Sequence, residues 1–259
     1  MRLALVLNRE VQESKRNLLI YSLTIFLVLL FQEMLAAFLT RMARGDIGDS
    51  AYLANFPGFL FLGGFIVTSV FFSDDMFSRI GQHNWLTLPA SPLEKFLAKA
   101  LLTSVAYPLA LVALFTLSSV VIELLALLVF GSPFSMFNPF TIPIGQMILH
   151  YLATQSIFLL GATYFRKAHF IKTVLALGLL GVLMGIVATI FVRILFAPYI
   201  SGMFGFNFTF DDRILYQYEG LLTVAEWIGR IVYWFMLPAF CWVTSYLRVK
   251  EVQATDAIQ

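Results

Sequence analysis

Residues 100–130 read ALLTSVAYPLALVALFTLSSVVIELLALLVF, thirty-one residues in which Glu123 is the sole formal charge. A surface helix of a soluble protein turns a polar face to water every few residues, whereas this run stays apolar for longer than the roughly 20 residues that cross a hydrocarbon layer about 30 Å thick. Barrel strands alternate apolar and polar positions, and this run does not, so it predicts a membrane helix. The rest of the chain agrees: 60% of its 259 residues are hydrophobic, 12% are charged, Phe alone occurs 27 times, and the mean hydropathy is +0.85. A soluble domain carries about twice that share of charge.

Working outward, apolar runs predict six spans at about 17–40, 56–73, 100–130, 144–165, 171–196 and 223–247. An even number places both termini on one side. If that side is the cytoplasm, inner segments hold Arg2, Arg9, Lys15, Arg16, Arg79, Lys95, Lys99, Arg166, Lys167, Lys172, Arg248 and Lys250, against Arg41, Arg44 and Arg213 outside. Basic residues accumulate on the cytoplasmic face, so both termini are predicted inside. In residues 1–16, Leu3, Val6, Leu7 and Val11 recur at helical spacing, with Arg9, Glu10, Gln12, Glu13, Lys15 and Arg16 on the other side. That pattern predicts an amphipathic interfacial helix on the inner leaflet before the chain turns into the membrane, the alternative being an ordinary basic flank. The expected fold class is therefore an all-α integral membrane protein, a single transmembrane domain over residues 1–259 with six transmembrane helices. Residues 197–222 are too polar to span and rich in Tyr and Phe, as an outer loop or re-entrant element would be.

Several function classes drop out. A net charge of +2 gives no reason to expect a nucleic-acid partner, and the single cysteine, Cys241, sits in an apolar run and has no partner for an intrachain disulfide. No phosphate-loop, H-E-x-x-H or G-x-S-x-G motif occurs, and His83, His150 and His169 show no ligand spacing, so no catalytic or metal site is expected.

Immediately before the long run stands HNWLTLPASPLEKFLAK, His83–Lys99. Ser91 with Glu94 three residues on is a capping box, and Pro92 takes the first helical position, where its missing N–H costs nothing. Leu93, Phe96, Leu97, Ala100 and Leu101 then share a face, while Lys95 and Lys99 lie one turn apart on the polar side, where they are expected to reach phosphates or a cytosolic partner. Upstream, Ser73, Asp74 and Asp75 have the form of a helix start, followed by Arg79, a stop near Gly81 and an extended WLTLP stretch. A plain connector needs only a few residues, so segment 74–99 reads as a docking surface.

Five more charges lie within predicted spans: Glu33, Glu123, Arg193, Glu226 and Arg230. Isolated at mid-bilayer each would cost about 2.5–3.5 kcal/mol, so they are expected either to line an outer vestibule or to form ion pairs, Glu226 and Arg230 having the favourable i, i+4 order. Gly178, Gly181 and Gly185 form a small-residue stripe suited to close helix packing, within the chain or between copies.

Gly81, Trp85, Leu86, Leu88, Pro89, Ser91, Glu94 and Lys99, placed between a second and a third span, resemble the coupling region of ABC-2-type ABC transporter permeases, although Ala98 stands where that family usually has Gly. The resemblance extends to the amphipathic start, the six spans and the long outer segment. It implies a permease subunit of an exporter in a cytoplasmic (inner) membrane, whose segment 74–99, with Asp75, Arg79 and Lys95, docks a cytosolic ABC ATPase. ATP and Mg would then belong to that partner chain, and a second permease copy or paralogue, surrounded by membrane lipids, would complete the unit. The alternative is an ATP-independent transporter, channel or membrane scaffold in which the capped segment only anchors the third span.

Overall fold

The computed structural model describes residues 2–43, 52–77, 83, 87–131, 134–195 and 212–256. Every regular element among them is helical. Helix α1 is Arg2–Ala43. Helices α2 (Tyr52–Pro57) and α3 (Gly64–Phe77) join through a π-helical turn, Gly58–Gly63, to make one rod. A second π turn, Leu102–Ala106, joins α4 (Pro92–Leu101) to α5 (Tyr107–Phe130). Helices α6 (Ile142–Tyr164) and α7 (His169–Leu195) follow, and a third π turn, Val232–Met236, joins α8 (Asp212–Ile231) to α9 (Leu237–Asp256).

Among the described residues five helical stretches are long and apolar enough to cross a membrane: Leu3–Leu39, Tyr52–Phe72, Pro92–Phe130, His169–Phe191 and Thr223–Glu251. This is an all-α architecture of multi-pass membrane type. The span expected at 144–165 is present as α6, but Gln146, His150, Gln155 and Ser156 dilute its apolar content and it is not one of the five.

Helix α6 is the element around which the others pack. Its Tyr151, Gln155, Leu159 and Ala162 are wholly buried. Helix α3 runs parallel to it, with Thr68 beside Gln155 and Phe65 stacked on Phe158 at 4.0 Å. The α4–α5 rod runs antiparallel, so Ser104 meets Gln155 while Tyr107 meets Tyr151. Helix α7 lies close enough that Thr173 occupies the space a side chain at Gly161 would need. Two apolar clusters hold the ends. One gathers Phe56, Phe115 and Phe137, the last brought in by the 134–141 connection, with Phe56 edge-on to Phe115 at 5.3 Å. The other joins Phe72, Phe96, Leu159, Ala162 and Val249 at the end that holds α4.

Three local expectations are corrected. The amphipathic stretch is not a separate helix: α1 is continuous, because no Gly or Pro interrupts residues 1–44, and at 1.5 Å per residue it is about 63 Å long, twice a hydrocarbon layer. Its first turns pack along α4 and bury Val6 and Glu10. No helix starts at Ser73, since the apolar run feeding α3 meets no breaker before Phe77. The WLTLP stretch is not extended where it is described: Thr87 is helical, its hydroxyl donating to the His83 carbonyl, and Leu88–Ala90 bend. Arg79, Gly81, Trp85 and Leu86 lie outside the described residues, as does the side chain of Asp75. Of the 197–222 element, residues 212–222 belong to α8 and the remainder lies outside the described residues.

The tight packing of α3 on α6 yields a paired test. A Cβ at Gly64 would collide with the Tyr151 ring, whereas one at Gly145 would meet nothing within 4 Å. Gly64→Ala should lower stability in detergent by about 1–3 kcal/mol through overpacking, and Gly145→Ala should raise it by up to about 1 kcal/mol through helix propensity. Thermal unfolding followed by circular dichroism reads both signs.

Candidate functional site at the α4–α6 junction

Helix α4 begins as its sequence dictates. The Glu94 backbone N–H donates to Ser91 Oγ at 3.2 Å, the Ser91 N–H donates to Glu94 Oε2 at 2.9 Å, and Pro92 occupies the first turn. The box satisfies two amides that would otherwise lack partners and fixes where the helix starts. Pro89 lies just upstream, in the bend that delivers the chain to Ser91.

The lysines do not face outward as expected. Lys95 is 4% exposed and Lys99 is 2% exposed, because the first turns of α1 cover the polar side of α4. Lys99 Nζ lies 3.5 Å from Glu10 Oε2 and donates to the Phe71 carbonyl at 2.6 Å, so one ammonium ties α1, α3 and α4 together. Beside Lys99 on α4, Phe96 packs between Phe72 of α3 and Trp242 and Tyr246 of α9, with centroids about 6 Å apart. A buried charge is stable when paired and hydrogen-bonded, and the Lys99 ammonium is both.

One turn into the rod, Gln155 of α6 gathers the next layer. Its Nε2 donates to Thr103 Oγ1 at 3.0 Å and to Thr68 Oγ1 at 3.3 Å, and its Oε1 accepts from Ser104 Oγ at 3.1 Å. Thr103 Oγ1 donates in turn to the Lys99 carbonyl at 3.0 Å, which links this layer to the lysine below it. The π turns lie at this layer or beyond it, toward the Phe56 end. Winding from i→i+4 to i→i+5 widens a helix locally and loosens its carbonyls, and two of the three turns lend one to a tyrosine. Tyr107 Oη donates to the Phe59 carbonyl at 2.6 Å and Tyr151 Oη to the Thr103 carbonyl at 2.7 Å. At the third turn Tyr233 Oη lies 3.1 Å from His150 Nδ1, with the Trp234 ring 4.8 Å from the imidazole. The second turn meets α6 at Tyr151 and Gln155, the third meets it at His150, and the first reaches it through Phe61 beside Tyr151 at 6.3 Å.

Gln155, Tyr151 and Tyr107 are the members that sequence reasoning missed. A signal was present, since Thr154-Gln155-Ser156 is the polar interruption of an apolar segment and Tyr151 lies one turn before it. Nothing in the sequence marked the π turns.

The intramembrane charges divide. Glu33 lies in α1 and Glu123, buried, in α5. Glu123 Oε2 accepts from the Ser135 N–H at 3.2 Å and Ser119 Oγ from the Phe137 N–H at 3.1 Å, so both anchor the 134–141 connection. Glu226 and Arg230 pair at 2.6 Å within α8, exposed on both sides, as the i, i+4 spacing predicts. Arg193 lies in the last turn of α7. A Cβ placed on Gly178, Gly181 or Gly185 would have nothing within 4 Å, so the stripe packs against no described residue of its own chain.

No group of three or more His, Cys, Asp or Glu among the described residues is placed to hold a metal ion. The junction links the capped start of α4, through Lys99 and Thr103, to the Gln155 layer. Comparison with protein-family models, with characterised proteins and with solved structures found no match.

The Lys99 pair can be tested by its asymmetry. Lys99→Met alone removes the ammonium beside the buried Glu10 and should cost about 3–5 kcal/mol, whereas Lys99→Met with Glu10→Leu should recover most of that loss. Equal destabilisation of the single and double variants in thermal unfolding would remove the pair from the account.

Proposed function

We propose that this chain is the membrane-spanning permease subunit of an ATP-driven exporter of the ABC-2 type, in a cytoplasmic (inner) membrane. A separate cytosolic ATPase binds ATP and Mg, and a second permease copy or paralogue completes the translocation unit. Six crossings belong to this reading. Helix α6 is 23 residues long, carries no Asp, Glu, Lys or Arg, and runs antiparallel to the α4–α5 rod, so it returns the chain across the layer that α5 has crossed. The basic asymmetry places the α4 end, with both termini, in the cytoplasm.

The observation that carries the reading is the junction of α4. It begins at a capped, exposed Ser91, is clamped through Lys99 and Phe96 to α1, α3 and α9, and passes through a π turn held by α6. Force applied near Ser91 by a nucleotide-driven partner therefore moves several rods at once, and the π turns are where those rods change tilt. Lys95 and Lys99 stiffen this lever from within and do not touch the partner. The docking surface is left to Pro89, Ser91, Leu93, Glu94 and the residues before them. Helix α7, whose glycine stripe is open, faces the second copy or lipid.

The test uses the full chain purified in mild detergent together with its ATPase. Ser91→Ala with Glu94→Ala removes the cap, about 1–2 kcal/mol confined to the first turn of α4. The variant should keep its yield and thermal midpoint within a few degrees while transport per ATP hydrolysed falls severalfold. Absence of any co-purifying ATPase, or unchanged coupling in the variant, would refute the proposal.

A further inference from the structure

We infer that the face between α1 and α5 is a binding site for an anionic phospholipid, with one acyl chain held in a groove and the phosphate on Lys15 and Arg16. A groove of about 470 Å³ opens there, its apolar lining including Leu19, Leu23, Phe26 and Leu117. Ser22 also borders it, but its hydroxyl donates back to the Leu19 carbonyl at 3.0 Å, so it offers the groove little polarity. On α1 the lining recurs at Leu19, Ser22, Leu23 and Phe26, one helical face about 10 Å long.

Continuing that face toward the N-terminus, positions three and four residues before Leu19 are Arg16 and Lys15. Both side chains are exposed, and neither makes an ion pair with a described residue, in contrast to Arg9, which pairs with Glu13, and to Lys99, which pairs with Glu10. They also stand farther along α1 than the Glu10–Lys99 pair, one to two turns closer to the apolar span. A cation at that depth snorkels toward the headgroups, and side chains on a helix lean toward its N-terminus, which is the direction of the membrane surface here. A phosphate at Lys15 and Arg16 and a chain running from Leu19 toward Phe26 follow the direction of a lipid in the leaflet that α1 enters. Zwitterionic lipid brings no net charge to the two cations, so the anionic class is favoured. The inference rests on α1 crossing a membrane and is independent of the ATPase partner.

The full chain is reconstituted in nanodiscs of phosphatidylcholine and phosphatidylglycerol in equal amounts, extracted gently, and its retained lipid quantified by mass spectrometry. The wild-type chain should retain phosphatidylglycerol preferentially. Lys15→Gln with Arg16→Gln should cut that preference on the order of tenfold, whereas Lys250→Gln, an exposed cation elsewhere, should leave it intact. Leu23→Trp, which fills the groove from its exposed side, should lower retention of both lipids. Three outcomes would overturn the inference: no preference in the wild-type chain, an equal loss in Lys250→Gln, or efficient disulfide crosslinking of Leu23→Cys between copies, which would show that protein covers the groove.

Discussion

Hydrocarbon offers no hydrogen bonds, so every polar group placed in this bundle must be satisfied by the protein, and the Gln155 layer is where that constraint is met most fully. Its carboxamide finds two acceptors and one donor on three side chains from two other rods. Thr68 and Thr103 each donate in turn to a backbone carbonyl, so the layer can be occupied only when α3, α6 and the start of α5 adopt one relative register. Apolar packing alone would tolerate a slide of a turn or so. A satisfied polar layer does not, because a displaced glutamine would strand several groups at once.

The same logic explains why the lysines point inward. In water, Lys99 would be free to extend, but the continuous helix α1 covers the lysine side of α4 and brings Glu10 to within 3.5 Å of its ammonium, supplying the oxygen that it needs on leaving water. A helical wheel of α4 correctly separates the apolar face from the lysine face. It cannot show that a second polar face, from residues at the far N-terminal end of the chain, covers the first.

That distinction marks how much was legible in the sequence. Five of the spans, the capping box at Ser91 and the Glu226–Arg230 pair depend on residues within a few positions of one another, and local spacing gives them directly. Whether the polar character of α6 was a loss of membrane character or a buried hub depended on Thr68, Thr103 and Ser104 arriving from other rods. The π turns were illegible for a related reason: no residue type encodes i→i+5 winding, and the turns are held by Tyr107 and Tyr151 reaching across to carbonyls that the wider winding leaves available. The break expected after residue 16 failed in the opposite sense, since charge alone does not end a helix that contains no Gly or Pro.

These contacts bear on how the bundle can move. At the α4 end, a buried ion pair and a cluster of Phe96, Phe72 and Trp242 bind four helices into one block. Between one and four turns farther in, the rods carry the π turns, and two of their carbonyls accept from the Tyr107 and Tyr151 hydroxyls. A motion that opened the bundle beyond the π turns would have to separate Phe56, Phe115 and Phe137, which hold the far end. A motion that split the block would expose the Lys99 charge. Both ends of the bundle are thus held, by an ion pair and aromatic packing at the α4 end and by aromatic packing at the other.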